Sequence, residues 1–253
     1  MQERNHHPAG PVGVAIALAA AAGFVDAHIY VNVTPVFVAN MSGNLIHLGI
    51  FLGSDGWKPA VATGVALAAF VAGVVIATVH HDRQVARARS PHPSFLLSIE
   101  AGLILALSTW LIVAPIPFAA SQRARDFPVL ALGALAMGLQ AGALRRVGEV
   151  AVATTYGTGA IVRIGEKAVL AARHADRPSQ HRRRVTIALL VAIIVSYVAG
   201  AIAATLAGAS PRLLLAPTVV LIACAAITAR RDATDRDGPQ PLVDPATPAA
   251  DRR

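Results

Sequence analysis

Charge is scarce in this chain. Of 253 residues only 14% are Asp, Glu, Lys or Arg, against about 25% in an ordinary soluble domain, while 55% are hydrophobic. Cysteine is scarcer still: Cys224 stands alone inside an apolar run, which excludes an intrachain disulfide framework and leaves it as a small packing residue. Alternating strand patterns are missing, which argues against a membrane barrel. There is no His-Glu-x-x-His, no phosphate-binding loop and no pair with metal-ligand spacing, and the histidines at 80, 81 and 92 lie in a charged loop. Only Arg4 precedes the first apolar run, so the strongly basic start of a signal peptide is lacking and that run is expected to remain as a span. These absences predict a protein that is not an enzyme and has no cofactor.

What is present is apolar length. Six runs are long enough to cross a bilayer as helices: Pro11–Tyr30, Pro59–His80, Ser94–Phe118, Phe127–Leu144, Val185–Gly208 and Pro211–Ala229. In lipid the backbone groups must pair within each segment, so helix is the expected state. The flanks, 1–10 and 231–253, are polar or rich in Pro, Asp, Ala and Arg, and are expected to be disordered. Trp57 and Trp110 read as interface or lipid anchors.

The net charge of +8 would suit a nucleic-acid partner in a soluble protein. Here its distribution gives it another meaning. With both termini in the cytoplasm, 18 Lys and Arg fall on the inner side and 4 on the outer side, a strong positive-inside bias. The expectation is a bacterial inner-membrane protein that contacts the lipid bilayer and binds no nucleic acid.

The chain also resembles itself. Ser42-Gly43-Asn44 with Leu48-Gly49 matches Thr158-Gly159-Ala160 with Ile164-Gly165, and Gly23-Phe24 matches Gly138-Leu139. Phe70-Val71-Ala72-Gly73 matches Tyr197-Val198-Ala199-Gly200, in the same order along the chain. The reading is an all-α membrane protein whose six transmembrane helices form two inverted three-helix repeats, 11–118 and 119–230. Each repeat has a broken or re-entrant segment after its first helix. Val31–Gly53 is interrupted by Asn32, Pro35, Asn40, Ser42, Gly43 and Asn44, and Val147–Ala172 by Thr154, Thr155, Gly157, Thr158 and Gly159. Paired interruptions of this kind point to a transporter site, although small and amide residues also pack helices closely. A rival count makes both segments full spans, with eight helices, parallel repeats and a weaker charge split of 16 to 6.

Gly23-Phe24-Val25-Asp26-Ala27, followed by Val38-Ala39-Asn40-Met41-Ser42-Gly43-Asn44, resembles the YoaK-like bacterial membrane proteins, a family named only as a domain of unknown function. Ala136-Met137-Gly138-Leu139-Gln140, with Thr154-Thr155-Tyr156-Gly157-Thr158-Gly159, resembles their second signature. The resemblance covers roughly Val12 to Arg230. The family usually has Thr where Ser42 stands, and often Asn where this chain has Ala141. It implies a multi-pass inner-membrane protein and supplies no substrate.

Two acids fall inside spans, Asp26 and Glu100. A carboxylate at the bilayer centre costs about 2.5–3.5 kcal/mol on insertion scales, so such residues pair, protonate or line a cavity. Asp26 also reads as a cap for the following segment, and Glu100 as an inner-interface partner for Arg83–Arg89. Asn40, Ser42, Gly43, Asn44, Gln140, Thr158 and Gly159 complete the pathway candidates. His47 reads as a packing residue, and Arg163, Glu166 and Lys167 as a solvated inner face. Asn40-Met41-Ser42-Gly43 with His47 superficially suggests a serine nucleophile, but lacks the leading Gly of a rhomboid-type motif. Two functions stay open. One is a small-solute transporter or channel, with Asp26 or Glu100 carrying a proton in a coupled version. The other is a non-transporting partner or regulator whose basic loop Arg173–Arg184 binds anionic lipid or an acidic partner. The oligomeric state stays open too, a homodimer included.

Overall fold

The computed structural model describes residues 9–54, 56–87, 93–114, 126–143, 146–147, 150–151, 157–173 and 177–237. Eight helices appear among them: α1 Ala9–Asn32, α2 Met41–Gly53, α3 Trp57–Ala86, α4 Ser94–Val113, α5 Asp126–Ala143, α6 Gly157–Arg173, α7 Arg177–Ala207 and α8 Leu215–Asp237. A short 3-10 turn, Pro211–Leu214, leads into α8, and two-residue strands pair antiparallel as Arg146 with Ala151 and Val147 with Val150.

Proline and glycine mark the boundaries. Pro59, Pro128, Pro178 and Pro217 each stand within the first three residues of a helix, where a missing N–H leaves no bond unmade. Gly208 follows α7 with φ +95°, the left-handed conformation that closes a helix end. α1 stops at Asn32 because Pro35 follows and pushes Thr34 out of helical geometry.

Five described helices are long and apolar enough to cross a membrane: Val12–Asn32, Trp57–Ala86, Ser94–Val113, Arg183–Ala207 and Pro211–Arg231. The expected fourth span is shorter. Its apolar part, Phe127–Ala143, rises about 26 Å, less than the hydrocarbon core, because Asp126 precedes it and Arg145 follows closely. α7 is longer than its apolar run, with Arg177–Arg184 added as helix ahead of Val185. α8 runs on to Asp237, into the stretch 231–253 that composition marks as disordered. Residues 1–8 and 238–253 lie outside the described residues.

Packing follows from small residues. α1 lies mainly on α7, and α3 mainly on α5, while α4 touches α5 and α8, α2 rests on α3, and α6 rests on α7. A Cβ added at Gly23 would strike the Tyr197 carbonyl of α7, and one at Gly200 the Ala20 carbonyl of α1. A Cβ at Gly138 would strike the Phe70 carbonyl of α3, and one at Gly73 the Leu135 carbonyl of α5. These four glycines let two helix pairs approach backbone to backbone, the contact that replaces a hydrophobic driving force inside lipid.

The main core cluster joins α1, α3, α4, α5 and α8, and it includes Val33, Val36, Val38 and Ala39 of the link between α1 and α2. That link is therefore interior. The outer faces carry Val71, Val75, Val195, Ile202, Val219 and Ile222, an apolar surface that a bilayer covers.

Candidate functional site

The link after α1 is organised by Asp26. Its side chain is 2% exposed and accepts four hydrogen bonds. Oδ1 takes the amides of Val38 at 2.6 Å and Ala39 at 2.8 Å, and Oδ2 takes the Asn40 amide at 3.2 Å and the Tyr197 hydroxyl at 2.6 Å. All four partners donate, which is the arrangement a carboxylate anion satisfies. The chain thus leaves α1 at Asn32, returns alongside it to the level of Asp26, and there begins α2.

α2 is capped by its own signature. Asn40 Oδ1 accepts from the Gly43 amide at 3.2 Å and from the Ser42 hydroxyl at 2.9 Å. Asn44, fully buried, clasps Phe37 from both sides: Nδ2 donates to the Phe37 carbonyl at 2.7 Å, and Oδ1 accepts its amide at 3.0 Å. A Cβ at Gly43 would lie 3.0 Å from the Phe37 ring, so the glycine keeps that clasp tight. The residues Asn40, Ser42, Gly43 and Asn44 are brought together, and their polar groups are directed at the chain itself. The Ser42 hydroxyl, which is exposed, bonds Asn40 and not His47. His47 instead lies among Tyr30, Phe37 and Phe51, with ring centroids 5.8–6.3 Å away.

A second tie sits one turn further along α1. His28 is buried beside Phe24, and Asn32 reaches both His28 Nδ1 at 3.4 Å and the Gly208 carbonyl at 3.5 Å. On α5, fully buried Gln140 donates from Nε2 to the Leu18 carbonyl of α1 at 3.1 Å.

Glu100 is different. It is fully buried on α4, and neither carboxylate oxygen has a hydrogen-bond partner among the described residues. The helix that carries it, α4, packs against α5 and α8. Glu100 thus lies in the α4–α8 region, away from the cluster built on α1, α2 and α7. Gly159 lies in the first turn of α6, which opens at Gly157, and the Thr158 side chain lies outside the described residues. Among the described residues no cluster of three His, Cys, Asp or Glu side chains is placed to hold a metal.

Tyr197 is the site residue that sequence reasoning passed over as a singular feature. A signal for it exists in the internal match. Tyr197 aligns with Phe70, and Asp26 aligns with Ala141 by the register that pairs Gly23 with Gly138. The hydroxyl and the carboxylate that meet in the structure are both lacking at the matched positions. Tyr197 also lines a shallow apolar groove of about 340 Å³ on α7, with Val198, Ala201, Ile202, Thr205 and Leu206.

Residues 14–229 match the family described as "Protein of unknown function (DUF1275)", and the chain belongs to that family. It is similar to the UPF0700 transmembrane protein YoaK of Bacillus subtilis (strain 168), with 30% identity over 148 residues. The match covers 57% of this chain and 61% of that relative's length. No solved structure matches significantly.

Proposed function

We propose that this member of the family is a small-solute transporter or channel of the bacterial inner membrane, with both termini in the cytoplasm. Its two halves are inverted repeats. The exchanged glycine crossings support that plan: α1 meets α7 at Gly23 and Gly200, and the matched helices α5 and α3 meet at Gly138 and Gly73. The segment Val31–Gly53 is the re-entrant element of the first half, leaving α1 at Asn32, dipping to Asp26 and rising again as α2. α6 is its counterpart in the second half.

The observation that carries the transport reading is Glu100. A fully buried carboxylate within a span, with no hydrogen-bond partner among the described residues, is expensive in lipid and marks an ion or proton pathway by default. Asp26, the other acid within the apolar runs of the sequence, is committed to the backbone of the α1–α2 link. The proton-coupled version therefore assigns the carrier role to Glu100 and a positioning role to Asp26. No covalent chemistry is assigned to the protein.

A thermal-shift screen of small solutes on the purified protein identifies a ligand, since binding to the folded state alone raises its apparent stability. Uptake of that ligand into proteoliposomes then tests the mechanism. The expected result is at least tenfold loss of uptake in Glu100→Gln with the folded yield unchanged. Uptake that survives Glu100→Gln overturns the carrier role.

The second reading, a non-transporting membrane partner, is favoured by the self-satisfied polar groups of Asp26, Asn40 and Asn44, which face the protein's own backbone. A screen that finds no stabilising solute, together with co-purification of a defined partner, supports it.

A further inference from the structure

We infer that α6 and the start of α7 form an interfacial hairpin that binds anionic phospholipid headgroups. α6 is separated from α7 by only three residues and rests on it. The Arg183 guanidinium of α7 donates to the Leu170 carbonyl near the end of α6 at 2.6 Å, which ties the two helices at the end where they join.

The two faces of α6 differ. Ile161, Val162 and Val169 are 62%, 54% and 51% exposed, an apolar face that α7 does not cover. Arg163, Glu166 and Lys167, spaced i, i+3, i+4, share another face. Segregation of this kind, with cations on the polar face, is the pattern of a helix that lies at a membrane surface. α2, the matched helix of the first half, exposes Leu45, Ile46, Ile50 and Leu52 and carries no Lys, Arg, Asp or Glu. Only one of the two matched helices is therefore equipped for headgroups.

The charge is one-sided. Between residues 163 and 184 the sequence carries seven Lys and Arg against two acids. Arg163 and Arg184 are exposed, and Lys167 and Arg183 are half-buried. Apolar side chains at acyl depth beside cations at headgroup depth complement an anionic lipid, which offers both depths in one surface.

The test uses the full-length protein in a neutral detergent, titrated with phosphatidylglycerol or phosphatidylcholine while its melting temperature is followed. Phosphatidylglycerol is expected to raise Tm, phosphatidylcholine is not, and high salt is expected to shrink the shift by screening. In Arg163→Gln/Lys167→Gln/Arg184→Gln the phosphatidylglycerol shift falls by at least half, while Tm in phosphatidylcholine stays at the wild-type value. Should the triple variant already melt lower in phosphatidylcholine, Arg184→Gln alone, which leaves the Arg183 bond in place, is expected to reduce the shift. An equal shift with both lipids, or an unchanged shift in both variants, overturns the inference. So does a full shift with inorganic phosphate or with polyglutamate, which would make the face a phosphate site or a protein-docking surface.

Discussion

Replacing Asp26 by Ala removes one acceptor from four donors at once, and the outcome is local rather than global. The amides of Val38, Ala39 and Asn40 and the Tyr197 hydroxyl all lose their partner. A buried donor left unpaired costs about 1–3 kcal/mol. Taking the low end for each, since the link relaxes, the loss is about 4 kcal/mol. The whole protein feels less than this, because removal of the carboxylate also removes an insertion cost of about 2.5–3.5 kcal/mol. The link feels nearly all of it. At 1.4 kcal/mol per tenfold, opening of the link becomes favoured by about a thousandfold. Hydrogen exchange of residues 36–44 in micelles reads this directly, with α4 as an internal reference. Asp26→Asn keeps Oδ1 for Val38 and Ala39 and lets the Tyr197 hydroxyl turn to accept, so its effect is about tenfold. Exchange of the Val38, Ala39 and Asn40 amides in Asp26→Ala within threefold of wild type would refute the reasoning, whatever happens to the melting temperature.

Two further outcomes follow from the same geometry. Gly200→Ala and Gly138→Ala each drive a methyl into a facing carbonyl and are expected to destabilise by about 1–3 kcal/mol in denaturant titrations, while Gly49→Ala, with open space around it, is neutral or stabilising; equal behaviour of all three would remove the close-crossing account. Tyr197→Phe combined with Asp26→Ala in a double-mutant cycle is expected to show coupling of about 0.6–2 kcal/mol, and additivity would mean the bond between α7 and α1 contributes nothing.

Helices were legible in the sequence wherever the apolar run was long. Pro59–His80 lies inside α3 and Ser94–Phe118 begins with α4, its residues 115–118 lying outside the described residues, and the break at Asn32 to Asn40 is where α1 ends and α2 begins. Boundaries were less legible where charge and helix coexist. Arg177–Arg184 extends α7, because arginine is a good helix former and only the bilayer objects to it. The Asn40–Asn44 cluster could be seen as a unit, since its bonds span two to seven residues. Its partner Tyr197 could not, because that bond joins residues 171 apart and depends on how α7 crosses α1. The matched pairs Asp26 with Ala141 and Tyr197 with Phe70 were the one trace of it: two polar groups present at the α1–α7 crossing and missing together at the matched α5–α3 crossing.

Composition treats Asp26 and Glu100 alike, as the two acids placed inside spans, yet the structure separates them by how their charge is met. Asp26 enters the membrane with four donors arranged around it, three of them amides released because the chain is not helical between Val33 and Asn40. Charge-assisted bonds contribute about 1.5–3 kcal/mol each, so even two of them at the upper end exceed the insertion cost. The broken segment and the carboxylate thus need each other: unpaired amides in lipid carry a penalty, as an unpaired charge does, and each reduces the other's. Glu100 has no such arrangement among the described residues, and it sits on an unbroken helix that has no spare amides to offer. Its cost is met only by taking a proton or a cation, or by moving to where water or a solute reaches it. That difference is the reason to begin mutagenesis at Glu100 when transport is measured, and at Asp26 when folding is.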